Sequence, residues 1–331
     1  MKKFKKWMAY LVILVVLVIV AGASYLTLAL PNVGKPEKLQ VELTPKRIAR
    51  GKYLANNVSV CIDCHSARQW NLFAGPIDTN IIGAGGEKFD ERVSFPGTVY
   101  VPNITPANLK SWTDGELYRA ITTGVKKDGS AIFPIMPYTS YGKMDKEDIY
   151  SIIAYLRTLK PHAGSFPKRQ LNFPLNLLVN TMPQKAVAGK VPDTANTLKY
   201  GEYLVMAAAC ADCHTKAVQG KPVQGMDFAG GNEYNLGTGF TLSSANITPD
   251  KKTGIGLWTK EQFIARFRQF ADSTAKPARV KPGDFQTIMP WWRYGGMSEK
   301  DLAAVYTYLR TVKPVNNAIV KFRPNSVAEK N

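Results

Sequence analysis

Cys61-Ile62-Asp63-Cys64-His65 and Cys210-Ala211-Asp212-Cys213-His214 are two copies of C-x-x-C-H, and they use all four cysteines and two of the three histidines of the chain. On a helix the two cysteines of one copy lie a turn apart on the same face. There both sulfurs can form thioethers to the vinyl groups of one haem, and the adjoining histidine meets the iron. The pattern reads as covalent haem attachment, twice, through Cys61, Cys64, Cys210 and Cys213, with His65 and His214 as iron ligands. A structural zinc site needs four ligands, and the stretch between Cys64 and Cys210 is far too long for a zinc-ribbon spacing. A thioredoxin-like dithiol wants a strand-to-helix context and has no need of the trailing histidine. No cysteine is left for a disulfide or for a thiolate ligand.

Aligning the two motifs brings out an internal repeat of about 150 residues. Gly51-Lys52-Tyr53-Leu54 precedes the first motif as Gly201-Glu202-Tyr203-Leu204 precedes the second, and Asn103-Ile104-Thr105-Pro106 recurs as Asn246-Ile247-Thr248-Pro249. Trp112-Thr113 and Trp258-Thr259 each open a helix, with the threonine as N-cap and Glu116 or Gln262 completing a capping box. Leu117 and Ile121, or Phe263 and Phe267, give those helices an apolar side. Ile135-Met136-Pro137 and Ile288-Met289-Pro290 follow, and each leads into a final helix. The first is capped by Asp145 and carries the stripe Ile149, Ile152, Ile153, Leu156 and Leu159 before Lys160-Pro161. The second is capped by Ser298 with Asp301 and carries Leu302, Val305, Tyr306, Leu309 and Val312 before Lys313-Pro314. No run alternates convincingly as a strand, so the exported part reads as mainly α with long loops. The proline-bearing stretch from His162 to Thr197 reads as an ordered connector, whose apolar Leu171 to Val179 is expected to pack across both copies.

An iron held on one side by histidine can take a second ligand from the other. Only His162 is left among the histidines, so two bis-histidine haems are excluded; it reads as a surface residue following its helix. Of nine methionines, Met136 and Met289 hold the same place in both copies, 71 and 75 residues after their histidines, in a proline-bounded loop. These are the expected axial ligands. Met144 and Met297 also correspond, but each adjoins an N-cap, where an apolar residue acts as a hydrophobic staple. Thioether sulfur favours reduced iron, so His/Met ligation implies a fairly high potential and leaves no open position for substrate.

The N-terminus gives the address. Four lysines lie within Met1 to Lys6, and Trp7 to Leu30 then has no charged side chain. At a rise of about 1.5 Å per residue this spans a bilayer core. Ala21-Gly22-Ala23 resembles a signal-peptide cleavage site, yet the apolar run is longer than a signal core, so an uncleaved anchor is favoured. The lysines place the N-terminus in the cytoplasm and everything after Pro31 outside. The formal charge is +18; the four lysines account for four, leaving +14 on the exported part. That surface suits acidic partners or anionic headgroups, and nucleic acid is implausible in that compartment.

With these residues quoted, the chain resembles the membrane-anchored dihaem cytochromes c. It is most similar to the cytochrome c subunits of bacterial membrane-bound alcohol, aldehyde and gluconate dehydrogenases. Asn246 to Asp250, Thr253-Gly254-Ile255-Gly256 before Trp258, and Met289-Pro290-Trp291 with the helix after it carry the resemblance, which covers about residues 46 to 315. Family members commonly carry three haem domains; this chain has two motifs, and its first copy lacks the Thr-Gly-Ile-Gly segment. The resemblance implies tandem class I cytochrome c domains after an N-terminal transmembrane helix: anchor 1–31, domain 46–165, connector 166–194, domain 195–318 and tail 319–331. It implies two haem c groups and electron transfer without bond chemistry. The donor would be a periplasmic-side dehydrogenase or quinol-oxidising complex, the acceptor a cytochrome or terminal oxidase, and the site the outer face of the bacterial cytoplasmic membrane. In such domains the histidine's second ring nitrogen donates to a backbone carbonyl soon after the motif. Matching Ala74-Gly75-Pro76 to Ala229-Gly230-Gly231 nominates Pro76 and Gly231 for that role, while Trp112 and Trp258 are candidates for packing at haem edges or in the core. The alternatives are a dihaem peroxidase-like or thiosulfate-oxidising enzyme and a haem sensor. The first needs an openable iron or a cysteine ligand, and the second a signalling domain.

Overall fold

The computed structural model describes residues 2–93, 95–235, 240–271, 276–281 and 283–324. Helix α1 (Lys2–Ser24) continues through a π turn at Tyr25–Ala29. Lys2–Ala29 is, among the described residues, the one helical stretch long and apolar enough to cross a membrane, and none of it is buried. The first half then contains α2 (Pro45–Tyr53), α3 (Cys61–Cys64), α4 (Pro106–Leu109), α5 (Asp114–Thr123), α6 (Tyr138–Tyr141) and α7 (Lys146–Arg157). After a short connector helix, α8 (Leu175–Leu178), the order recurs as α9 (Thr197–Ala207), α10 (Cys210–His214), α11 (Lys260–Arg268), α12 (Trp291–Tyr294) and α13 (Glu299–Leu309). The protein is mostly helical.

The helix ends follow from local chemistry. Thr113 and Thr259 each close a full capping box with Glu116 and Gln262. Asp145 accepts from the Glu147 amide and Ser298 from the Asp301 amide. Both final helices stop before the expected stripe does: α7 ends at Arg157 and α13 at Leu309, leaving Leu159 and Val312 in the turn that precedes each proline. Arg157 and Arg310 occupy equivalent places there and donate to carbonyls ahead of α5 and α11, Arg157 to Leu109 and Trp112, Arg310 to Ile255 and Gly256. The guanidinium groups thereby tie the end of each final helix to the loop ahead of α5 or α11.

In each half the helix leading to the motif crosses the final helix, α2 on α7 and α9 on α13, at a glycine. A Cβ at Gly51 would sit 1.8 Å from the Ser151 carbonyl oxygen, and one at Gly201 1.9 Å from that of Ala304. Backbones this close exclude any side chain, which explains the shared Gly-x-Tyr-Leu. Leu54, Ile62, Ile149, Ile152, Ile153, Leu204 and Leu302 fill a core that runs without a break through both halves.

Small antiparallel sheets supplement the helices. β1 (Lys88–Phe89), β2 (Gly97–Tyr100) and β3 (Gln170–Leu171) form one, and β6 (Glu233–Asn235), β7 (Phe240–Ser243) and β8 (Phe322–Pro324) another, with a hairpin of β4 (Ala217–Val218) and β5 (Lys221–Pro222) between them. Strands of two to four residues are too short to alternate visibly. Residues 170–171, taken as connector, and 322–324, taken as tail, are equivalent edge strands that each half uses to cover its sheet; residues 325–331 of the tail lie outside the described residues. Leu171 to Val179 does not pack across both halves. Its strand pairs with the first half, Phe173 and Leu178 are exposed, and α8 with the turn after it rests on the end of the N-terminal helix.

The halves meet through an exchange of equivalent bonds. The Tyr53 hydroxyl on α2 donates to Asp301 Oδ2 at 2.5 Å and accepts from the Ser298 amide, at the start of α13. The Tyr203 hydroxyl on α9 donates to Asp148 Oδ2 at 2.6 Å and accepts from the Asp145 amide, at the start of α7. This is the reciprocity of an isologous contact, realised within one chain. One extra contact is unpaired by that symmetry: Gln286 bonds the backbone at Trp70, Leu72 and Ala74, and the Trp292 indole donates to the Phe73 carbonyl.

Candidate haem-binding sites

Each C-x-x-C-H run forms a single helical turn entered through a left-handed residue, Val60 at φ 44° and Ala209 at φ 50°. That conformation is costly for a side chain with a Cβ, and most so for β-branched valine. A buried tyrosine holds the carbonyl just before it in both copies, Tyr141 on Ser59 at 2.7 Å and Tyr294 on Ala208 at 2.8 Å. Because Tyr141 and Tyr294 stand five residues after Met136 and Met289, these bonds tie each methionine loop to its own cysteine turn. Cys64 and Cys213 keep an accessible face although protein surrounds them, as side chains lining a crevice do. Burial pushes the thiols of Cys61, Cys64 and Cys210 up to about 12 and raises that of Cys213, so none behaves as an activated dithiol. Among the described residues no three metal-binding His, Cys, Asp or Glu side chains come together.

The histidines are oriented alike. His65 Nδ1 lies 2.8 Å from the Pro102 carbonyl oxygen and His214 Nδ1 2.7 Å from that of Ala245. A carbonyl only accepts, so Nδ1 carries the proton and the Nε2 lone pair is free for a metal. Burial lowers both imidazole pKa values, keeping the rings neutral. The acceptors are therefore Pro102 and Ala245, and not Pro76 and Gly231. Pro76 takes the Gln69 amide, and Gly231 donates to Ser244. Both true acceptors immediately precede Asn-Ile-Thr-Pro.

The error lay in the alignment. The loop after His65 is four residues longer than that after His214, so the counterpart of Ala229-Gly230-Gly231 is the identical Ala84-Gly85-Gly86. Gly85 donates to the His65 carbonyl at 2.8 Å and Gly230 to that of His214 at 2.7 Å. Both have positive φ, and a Cβ on either would collide with the backbone of Val101 and Pro102 or of Ser244 and Ala245. A side chain at either position would push the acceptor carbonyl away from the imidazole. Asn-Ile-Thr-Pro has a clamp role of its own. Asn103 accepts from the Thr105 amide and hydroxyl and donates to the His162 carbonyl, as Asn246 does with Thr248 and Val315. This holds the acceptor loop against the exit of the final helix. His162 thus contributes its backbone.

Met136 and Met289 precede proline-centred tight turns, in which the Tyr138 and Trp291 amides donate back to the methionine carbonyls at 2.8 and 2.7 Å. Both methionines are part-buried at the edge of the core. Met144 and Met297 are 1 % and 2 % exposed in that core, and Met144 sulfur takes the Ser59 hydroxyl. Trp112 packs on the core, while Trp258 is partly exposed and its carbonyl accepts from Tyr306.

The aspartates inside the two motifs differ in their surroundings. Asp63 is buried and paired with Arg68 at 3.0 Å, with Arg293 of the other half nearby; Asp212 has Lys143 of the other half nearby. Burial raises both carboxyl pKa values.

Two thiols one turn apart, a neutral imidazole with a free Nε2 and a thioether loop tied to the same turn form a donor set that fits haem c, in both halves. The sequence model of the family described as cytochrome c matches residues 198–313. The chain is 31% identical to a protein named diheme cytochrome c-type of Cereibacter sphaeroides, over 60% of this chain and 67% of that protein. It is 30% identical to the fructose dehydrogenase cytochrome subunit of Gluconobacter japonicus, over 80% of this chain and 52% of that one. It is 28% identical to the cytochrome c subunit of a quinone alcohol dehydrogenase of Gluconobacter oxydans, over 81% and 55%. The chain spans little more than half the length of these dehydrogenase subunits.

Proposed function

We propose that the chain is an electron-transfer protein carrying two haem c groups, and the premise is that it belongs to the cytochrome c family. The observation that carries the count of two is the matched pair of imidazole-to-carbonyl bonds, His65 to Pro102 and His214 to Ala245, each freeing Nε2 beside a C-x-x-C turn. Cys61, Cys64, His65 and Met136 would hold one group, and Cys210, Cys213, His214 and Met289 the other. Each half would then be a cytochrome c domain, with the edge strands β3 and β8 included. When bound, the haem supplies reversible one-electron iron chemistry. The protein's part would be to fix the imidazole, to supply a neutral thioether sulfur as a second ligand and to keep water away. Full His/Met ligation leaves no place for a substrate, which supports a carrier that is not itself an enzyme.

Relatives named as cytochrome subunits of fructose and quinone alcohol dehydrogenases support a dehydrogenase as donor, placed on the periplasmic side in this reading. A quinol-oxidising complex would serve as an alternative donor, and a cytochrome or terminal oxidase as acceptor. Lys2–Ala29, with its lysines at the start, supports an anchor in the cytoplasmic membrane with both haem domains on the outer side.

Replacing the sulfur ligands one at a time tests this reading. Met136→Ala and Met289→Ala should each leave covalent haem content unchanged, lower one midpoint potential and let one reduced haem bind carbon monoxide. Met144→Ala and Met297→Ala should destabilise the fold without opening an iron. A Met289→Ala protein with unaltered spectrum and potential would remove Met289 as a ligand.

A further inference from the structure

Beyond the anchor, one surface of the exported chain is built to meet a membrane. A hydrocarbon core of about 30 Å takes up about 20 helical residues. Counted from Trp7, the first residue past the lysines, that length ends at Leu26. It is at Leu26 that the connector touches the anchor: Asn180 Nδ2 donates to the Leu26 carbonyl at 3.0 Å, and α8 and the turn at Val179–Thr181 pack on the π turn Tyr25–Ala29. Val179 is fully buried, while Phe173, ahead of α8, stays 78 % exposed and Leu178 43 %. Leu28 on the anchor is 86 % exposed. Leu178, on the helix that packs on the anchor's end, thus stands in the open where the anchor leaves the hydrocarbon, and Phe173 stands in the open two residues ahead of that helix. Along the sequence the segment is flanked by basic residues. No Asp or Glu occurs between Asp148 and Asp193, whereas Lys160, Lys168, Arg169, Lys185 and Lys190 do.

We propose that the connector segment Asn172–Met182 is an interfacial foot, with Phe173 and Leu178 inserted at the headgroup boundary of an anionic phospholipid bilayer and the flanking lysines over the headgroups. Aromatic and aliphatic side chains on a short amphipathic element, ringed by basic residues, bind such a boundary by apolar burial and electrostatic attraction. The foot would hold the first half against the membrane and prevent it from swinging on the anchor. It rests on the reading of Lys2–Ala29 as an uncleaved anchor.

The test uses the full haem-loaded chain in nanodiscs of phosphatidylcholine and phosphatidylglycerol. Single nitroxides are placed at Phe173→Cys, Leu178→Cys, Val16→Cys in the anchor and Lys199→Cys on the exposed start of α9. Collision with oxygen against collision with a water-soluble nickel chelate reports depth. The foot predicts ratios at 173 and 178 severalfold above that at 199, and below that at 16. Water-like ratios at 173 and 178 with a membrane-core ratio at 16 overturn the foot and leave the anchor standing. Low collision with both reagents at 173 and 178 overturns it too, in favour of a protein cover. A purified chain whose mass lacks the first residues overturns the anchor and the foot together.

Discussion

The exchanged tyrosine bonds between the halves should be unequal in strength, and Tyr53→Phe and Tyr203→Phe measure the difference. Each substitution deletes one hydroxyl that donates to a buried carboxylate and accepts from a helix-start amide. A hydrogen bond to a charged group contributes about 1.5–3 kcal/mol net. After Tyr203→Phe, Asp148 keeps the two-pronged Arg50 guanidinium at 2.8 and 2.9 Å. The amide bond lost at Asp145 is long, 3.3 Å, so the cost should fall near the bottom of that range or below it, about 1 kcal/mol. After Tyr53→Phe, Asp301 is left buried with only the neighbouring Tyr200 hydroxyl, and the 3.0 Å bond to Ser298 is lost as well. That cost should be about 2–3 kcal/mol. Guanidinium unfolding of the haem-loaded protein, followed by the rise in tryptophan fluorescence as haem quenching is lost, reads both values at constant denaturant slope. A Tyr203→Phe cost equal to or above that of Tyr53→Phe would refute the reasoning, as would two costs under about 0.3 kcal/mol.

Other substitutions probe the remaining parts. Gly51→Ala or Gly201→Ala places a methyl within 2 Å of a backbone oxygen and should cost about 3 kcal/mol or more by the same unfolding assay. Gly85→Ala and Gly230→Ala should push Pro102 or Ala245 away from its histidine, shifting one midpoint potential and broadening that haem's spectrum while the other stays put. Asn103→Ala and Asn246→Ala each delete a buried amide, which closes three bonds at Asn103 and four at Asn246, and each should cost about 2–4 kcal/mol in unfolding free energy.

The two C-x-x-C-H motifs, the capping boxes at Thr113 and Thr259 and the helical stripes were legible because their information is local: a few residues at fixed spacing set each one. Non-local features were not. The strands are too short to show a period, so β3 and β8 were read as connector and tail although each closes a sheet. The partners of the histidines do not follow from the expected match because an Ala-Gly pair occurs twice in the loop after His65, and Ala74-Gly75 stands ahead of Ala84-Gly85-Gly86, which is identical to Ala229-Gly230-Gly231. Aligning on that tripeptide and on the residue ahead of Asn-Ile-Thr-Pro would have found Pro102 and Ala245. Tyr53 and Tyr203 were visible as a repeated residue, but their crossed partners exist only once the halves are packed together.

A spectroelectrochemical titration of the purified, haem-loaded protein, with carbon monoxide added to the reduced form and haem counted per chain, tests the central claim most directly. The account predicts two haems per chain, both low-spin, both titrating at positive potential and both indifferent to carbon monoxide. One haem per chain, or one that binds carbon monoxide or titrates far lower, would contradict it.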